Sequence, residues 1–135
     1  MNIALVIGKK NSTGVPGKNI RKLIGRPAAE YSFIATKYVN IEKVYVSTDC
    51  DHIASIGLQY GAKHISRPDH LATPEALTED ALIHAYENII LDLNKNNLDR
   101  SDIDSITLLF CNNPAIDVNL LRTALLEINK NKELD

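Results

Sequence analysis

Residues 9–19 read KKNSTGVPGKN and follow directly on the apolar run Ile3, Ala4, Leu5, Val6 and Ile7. A loop of small residues lets several backbone N–H groups face one point, and Lys9, Lys10 and Lys18 add positive charge. Both properties suit a polyphosphate, so a nucleoside triphosphate is the first ligand to consider. Pro16 fixes its own φ and disfavours helix at Val15, so Val15, Pro16 and Gly17 predict a stiff turn that aims Lys18 and Asn19. The loop is not a P-loop: GVPGKN lacks the longer gap between glycines and the Ser or Thr after Lys that would hold Mg²⁺. No GxGxxG opens a helix, which argues against a dinucleotide.

Such a loop has to be carried by a scaffold, and the rest of the chain supplies one. Apolar, β-rich runs at residues 2–7, 43–47, 62–66 and 105–110 predict parallel strands covered on both faces. Helical spacing of apolar residues predicts helices over 28–38, 51–60, 78–94 and 117–129. In the third of these Ala81, Leu82, Ala85, Ile89 and Leu93 form one stripe, with Thr78 expected as its N-cap and Glu79 and Asp80 in the first turn. The order βαβαβαβα calls for right-handed crossovers and an α/β fold. Asp49, at a strand's carboxyl end, is expected to cap the helix that starts nearby. Residues 94–102 read as a polar connector, and residues 130–135 as a solvated tail or the start of a further segment.

At 135 residues the chain is expected to form a single domain with a real core. Its net charge of −2 gives no global field for nucleic acid or an anionic membrane, so the basic residues matter locally. No apolar run approaches a membrane span and no signal-peptide pattern is present, so a cytoplasmic location is expected. Cys50 and Cys111 match no disulfide framework or zinc spacing and read as ordinary buried or half-buried thiols. His52, His64, His70 and His84 are scattered, without metal-ligand spacing.

The loop is one of several ordered motifs. Val46, Ser47, Thr48 and Asp49 give VSTD; Tyr60, Gly61 and Ala62 give YGA; Arg67-Pro68-x-x-Leu71-Ala72-Thr73 follows, then Ala76-x-Thr78-Glu79-Asp80. Together with the loop these resemble the acylneuraminate cytidylyltransferases, whose signature is commonly written xARxxSKG[IL]PxKN. That family comprises the CMP-sialic acid synthetases and their relatives acting on similar nonulosonic acids. The resemblance implies a Rossmann-like nucleotidyltransferase fold, a three-layer αβα sandwich with a mostly parallel sheet in the order 3-2-1-4. Residues 1–135 would then be a single nucleotidyltransferase-like domain, the N-terminal portion of a longer family fold whose C-terminal part is absent. It also implies CTP and a nonulosonic acid as substrates, with CMP-sugar and pyrophosphate as products, and a homodimer at full length. Mg²⁺ would be the cofactor, with its ligands outside this chain.

Carried over residue by residue, Lys9 and Lys18 become the catalytic phosphate contacts. Asn11, Ser12, Thr13 and Gly14 form the loop around the triphosphate, and Asn19 meets the nucleotide. Arg67, Ala76 and Thr78 sit where cytosine is recognised, a pocket whose hydrogen bonds would reject uracil. Read without the family, Arg67 could equally be a surface ion-pair partner of Asp69 or Glu75. Asn112 and Asn113 are sugar-binding candidates, with a plain turn before Pro114 as the alternative. Lys9 stands in place of Arg and Thr13 in place of Lys. The family's QPTSPLR reads Cys111-Asn112-Asn113-Pro114-Ala115-Ile116-Asp117, which puts Cys111 at the acceptor-contacting Gln. These departures leave two rival readings: a sugar nucleotidyltransferase of other base or acceptor, and a non-catalytic nucleotide-binding domain.

Overall fold

A strand covered on both faces must be apolar at nearly every position. β1 (Asn2–Gly8, NIALVIG) meets that demand and is buried from Asn2 to Ile7 in the computed structural model, which describes residues 1–11 and 14–131. The chain continues through a small hairpin, β2 (Lys22–Leu23) and β3 (Arg26–Pro27), into α1 (Ala28–Thr36). β4 (Lys43–Thr48), α2 (Asp51–Gln59), β5 (Lys63–Ser66), α3 (Thr78–Lys95), β6 (Ser105–Phe110) and α4 (Val118–Lys130) follow. The main sheet is parallel throughout, in the order β5-β4-β1-β6. Numbered by the four runs read from the sequence, this is the expected 3-2-1-4.

Side chains alternate across the sheet with period two, so its two faces build separate cores. On one face Val6, Val46, Leu109 and Cys111 pack against Ala29 and Phe33 of α1 and Ile53 and Ile56 of α2, with Leu121 of α4 at the margin. On the other, Ile3, Leu5, Ile7, Tyr45 and Ile65 pack against Ala85, Ile89 and Leu93 of α3. The stripe predicted for the third helix is the buried face of α3, apart from Leu82, which is half-buried. These are the three layers of an αβα sandwich. Among the described residues no helix is long and apolar enough to cross a membrane.

Some local features depart from expectation. The hairpin was not foreseen; its turn is Ile24 and Gly25, both at positive φ (50° and 81°). Thr78 does not cap α3: Leu77 occupies the cap without a side-chain hydrogen bond, and Thr78 is the first helical residue. Within the expected connector, Arg100–Asp102 forms a 3₁₀ turn in which the Asp99 carboxylate accepts from the Ser101 N–H. Residues 132–135, part of the expected tail, lie outside the described residues.

One polar cluster ties α3 to the strands. The Asp92 carboxylate accepts from the buried Tyr45 hydroxyl at 2.7 Å and from Lys63 Nζ at 2.8 Å. The Lys63 bond holds the Asp92 carboxyl below the ordinary value, while burial and Asp92 raise the Tyr45 hydroxyl. A carboxylate with a depressed folded-state pKa adds stability above its ordinary pKa and loses it as pH falls through the folded value. Asp92→Ala, which strands the Tyr45 hydroxyl, is expected to cost about 1–3 kcal/mol at pH 7. Urea titrations should show that deficit shrinking below about pH 4, where the carboxylate of the unfolded chain begins to protonate, and vanishing as pH falls through the lower folded-state value.

Candidate functional site

The carboxyl end of β4 organises the region above the sheet. Ser47 and Thr48 are fully buried, and the next two residues, Asp49 and Cys50, turn the chain into α2. The Arg67 Nη2 donates to the Ser47 carbonyl at 3.0 Å, with Nε at 3.4 Å from Ser47 Oγ. Thr48 Oγ1 accepts from the Cys50 N–H, and the Thr48 carbonyl accepts from the Arg67 N–H. Asp49 Oδ1 accepts from the Lys10 N–H at 2.8 Å. Asp49 is therefore a structural hydrogen-bonding residue, but it holds the loop after β1 rather than capping α2, whose cap is Cys50.

The loop is closed by its own ends. Asn19 Nδ2 donates to the Lys9 carbonyl at 3.0 Å, while Asn19 Oδ1 is buried with no partner among the described residues. The Lys18 N–H donates to the Val15 carbonyl across Pro16 and Gly17, and Gly17 has φ 65°. Proline second and a positive-φ glycine third define a type II turn, which is the stiff turn expected from the sequence. Lys9 reaches over to the segment beyond β5 and donates from Nζ to the Thr73 carbonyl at 3.0 Å.

These anchors frame a cleft of about 280 Å³ at the carboxyl ends of the strands, where ligands of open α/β sheets bind. The loop contributes Lys9, Asn11, Lys18 and Asn19; the segment after β5 contributes Arg67, Ala76 and Thr78; Phe110 and Asn112 come from the end of β6. The structure thus brings together most of the residues expected from the sequence. Gly14 and Asn113 do not line the cleft, and the Asn113 N–H closes a turn on the Phe110 carbonyl, the plainer of its two expected roles. Ser12 and Thr13 lie outside the described residues. Lys10 is exposed, as a surface lysine should be.

Three lining residues, Lys9, Lys18 and Arg67, are cations, and none of the lining residues is a carboxylate. Among the described residues none of the three is in an ion pair. Arg67 is 5% exposed and bonds to Ser47, so the alternative of a surface pair with Asp69 or Glu75 falls. Burial draws its guanidinium below the ordinary value, opposed by the Asp49 charge, but an arginine stays protonated. Charge of this kind, unpaired among the described residues, is suited to a polyanion. The cleft does not fit a Mg²⁺ site, because no carboxylate faces it, and no group of three or more metal-ligating side chains occurs among the described residues.

Cys111, which the family motif placed at the acceptor contact, does not face the cleft. It is 1% exposed and its thiol packs against Gly8, where an added Cβ would lie 2.6 Å from Sγ. The residue that does face the cleft is its neighbour Phe110, which the sequence reading missed. Leu77, Ala81, Leu71 and Pro74 were also missed; they complete the wall from α3 and the turn before it. The alternation Leu109 in, Phe110 out, Cys111 in was the available signal.

With this geometry in view, similarity to known proteins is informative. A cytidylyltransferase family model matches residues 3–134, and the chain belongs to that family. It is 34% identical over 84 residues to the N-acylneuraminate cytidylyltransferase of Escherichia coli, covering 62% of this chain and 20% of that protein. It is 31% identical over 130 residues to the CMP-N,N'-diacetyllegionaminic acid synthase of Legionella pneumophila, covering 95% of this chain and 53% of that one. The chain thus spans about half or less of the length of these relatives. Among solved structures, CMP:2-keto-3-deoxy-manno-octonic acid synthetase complexed with CTP superimposes with a TM-score of 0.73 at 20% identity, over 97% of this chain and 48% of that one.

Burial pushes the Cys111 thiol up to about 12, with the Arg67 charge only partly opposing it. Since the thiolate is the reactive form, Cys111 should resist iodoacetamide at pH 8 in the native protein and alkylate only on unfolding. Peptide mass spectrometry after labelling with and without urea checks this; rapid native labelling would return Cys111 to the cleft.

Proposed function

We propose that the chain binds CTP in this cleft and serves a cytidylyltransferase that activates a nonulosonic, sialic acid-like sugar. The observation that carries the reading is the convergence of Lys9 and Lys18 from the loop after β1 with Arg67 from the segment after β5 on one cleft with no carboxylate among its described lining residues. Names of relatives support the same chemistry: N-acylneuraminate and diacetyllegionaminic acid are the sugars in two of them.

On this reading the anomeric hydroxyl of the sugar acid attacks the α-phosphorus of CTP. An O–P bond forms, the bond from the α-phosphorus to the bridging oxygen breaks, and pyrophosphate leaves with the electron pair; the hydroxyl proton passes to solvent. Lys9 and Lys18 hold the triphosphate and offset charge that grows on the departing pyrophosphate. Arg67, fixed by Ser47 with its Nη1 uncommitted among the described residues, meets the pyrimidine edge with Ala76 and Thr78 beside it. The orphaned Asn19 Oδ1 accepts from a hydroxyl or amine of the nucleotide, which removes the cost of leaving it unpaired. Mg²⁺ bound to the triphosphate would add further charge neutralisation, and no described residue lining the cleft is a carboxylate that would hold it.

Calorimetric titration of the native-length protein with CTP, UTP, ATP and GTP tests the reading. Selective CTP binding is expected, and selective binding of another nucleotide or of none overturns it. Lys18→Ala should weaken CTP binding by about 1–3 kcal/mol, as loss of a charged hydrogen bond does. Arg67→Ala, confirmed as folded by its melting curve, should narrow the preference for CTP over UTP. Equal weakening of both nucleotides would remove Arg67 from base recognition.

A further inference from the structure

The hairpin of β2 and β3 gives up stability in two ways at once. Its turn puts Ile24 at φ 50° and Gly25 at φ 81°, the backbone of a two-residue turn that favours Asn followed by Gly. A β-branched side chain is strained at such a φ. The same residue is 99% exposed, so no packing among the described residues offsets the strain. Leu23 beside it is 43% exposed, and every residue from Arg21 to Arg26 is exposed. The hairpin is nonetheless held at its base: the Ala28 N–H donates to the Arg21 carbonyl at 2.8 Å, and the Tyr31 hydroxyl donates to the Leu23 carbonyl. Asn would be the more stable residue at this turn, so the isoleucine points to a contact outside the fold.

Charge and size around the tip select the kind of contact. Arg21, Lys22 and Arg26 form a basic collar, and residues 1–29 hold no Asp or Glu. Arg26 is paired with Glu30 at 2.8 Å, whereas Arg21 and Lys22 are in no ion pair among the described residues. A protein partner would need a pocket shaped for one or two side chains, and a tip this narrow falls far short of the roughly 800 Å² per partner in a stable interface. A bilayer needs no matching pocket. Its headgroup boundary takes an apolar tip of any shape, and anionic lipids meet the cations.

We propose that this hairpin is a membrane contact, with Leu23 and Ile24 entering the headgroup boundary of an anionic bilayer and Arg21 and Lys22 against its phosphates. Burying an isoleucine is worth about ten- to a hundredfold in partitioning, and each cation near an anionic surface about fivefold. Neither signal holds the protein alone, so the contact is reversible and salt-sensitive. Sedimentation of the native-length protein with vesicles tests this without nucleotide or sugar, so the outcome is independent of the transfer reading. Wild type should sediment with vesicles of phosphatidylcholine and phosphatidylglycerol in equal parts, less as salt rises, and should stay in solution with phosphatidylcholine alone. Ile24→Asn should lose about tenfold or more of the partitioning while its melting temperature holds or rises, because Asn relieves the turn. Replacing Arg21 and Lys22 together with Gln should cost about twentyfold. Wild type that ignores the mixed vesicles overturns the proposal and leaves the tip to a protein. Undiminished binding by Ile24→Asn would make the attraction one of charge alone and overturn it too, as would equal binding to phosphatidylcholine alone.

Discussion

The buried turn at the end of β4 is the constraint on which the cleft depends. Ser47 fixes the Arg67 guanidinium, Thr48 steers the chain into α2, and Asp49 fixes the loop after β1 through the Lys10 N–H. Three successive residues thus orient both banks of one cleft from a single strand end. Ser47 and Thr48 are polar groups with no exposure, which is tolerable only because their hydrogen-bonding atoms are used. A lone buried guanidinium would likewise be costly; Arg67 is kept by carbonyl and hydroxyl oxygens and by the field of Asp49 rather than by an ion pair. That choice matters for binding, because a guanidinium neutralised by a direct carboxylate would have little attraction left for an anion.

Charge placement follows the same logic at the scale of the chain. Residues 1–29 contain Lys9, Lys10, Lys18, Arg21, Lys22 and Arg26 and no Asp or Glu, in a chain of net charge −2. Positive charge is therefore concentrated on one side of the sheet's carboxyl end and balanced elsewhere. An anionic ligand meets a locally positive mouth while the molecule as a whole stays near neutrality, a pattern that aids small-molecule capture without general attraction to nucleic acid.

Much of this was legible in the sequence, for identifiable reasons. The parallel strands are apolar because both faces are covered, so their runs stood out, and the long helix α3 carries a clean stripe. The Val15-Pro16-Gly17 turn was readable because proline and glycine restrict φ so strongly. The hairpin was not: its strands are two residues each, and its turn places a β-branched Ile24 at φ 50°, where Asn or Asp would have signalled it. Thr78 has the right type for an N-cap, but helix ends shift by a residue with tertiary contacts, and here it is used on the cleft wall. The roles of Ser47 and Asp49 depend on which strand ends meet in space, something local pattern does not encode.

The end of β6 shows how much hangs on a single residue of register. Matching QPTSPLR from Cys111 puts a thiol at the acceptor and leaves the motif's second proline without a partner. Shifting by one sets Pro114 on that proline and Phe110, which lines the cleft, on the Gln. In a strand one residue of slip carries every side chain to the opposite face. The same two neighbours therefore give either a buried thiol or an exposed aromatic ring at the cleft, and only the pleat, fixed by pairing of Ile7 with Phe110, chooses between them. The position that is polar in the family motif is thereby apolar in this chain, and Asn112 supplies the polar side chain that lines the cleft from this strand end.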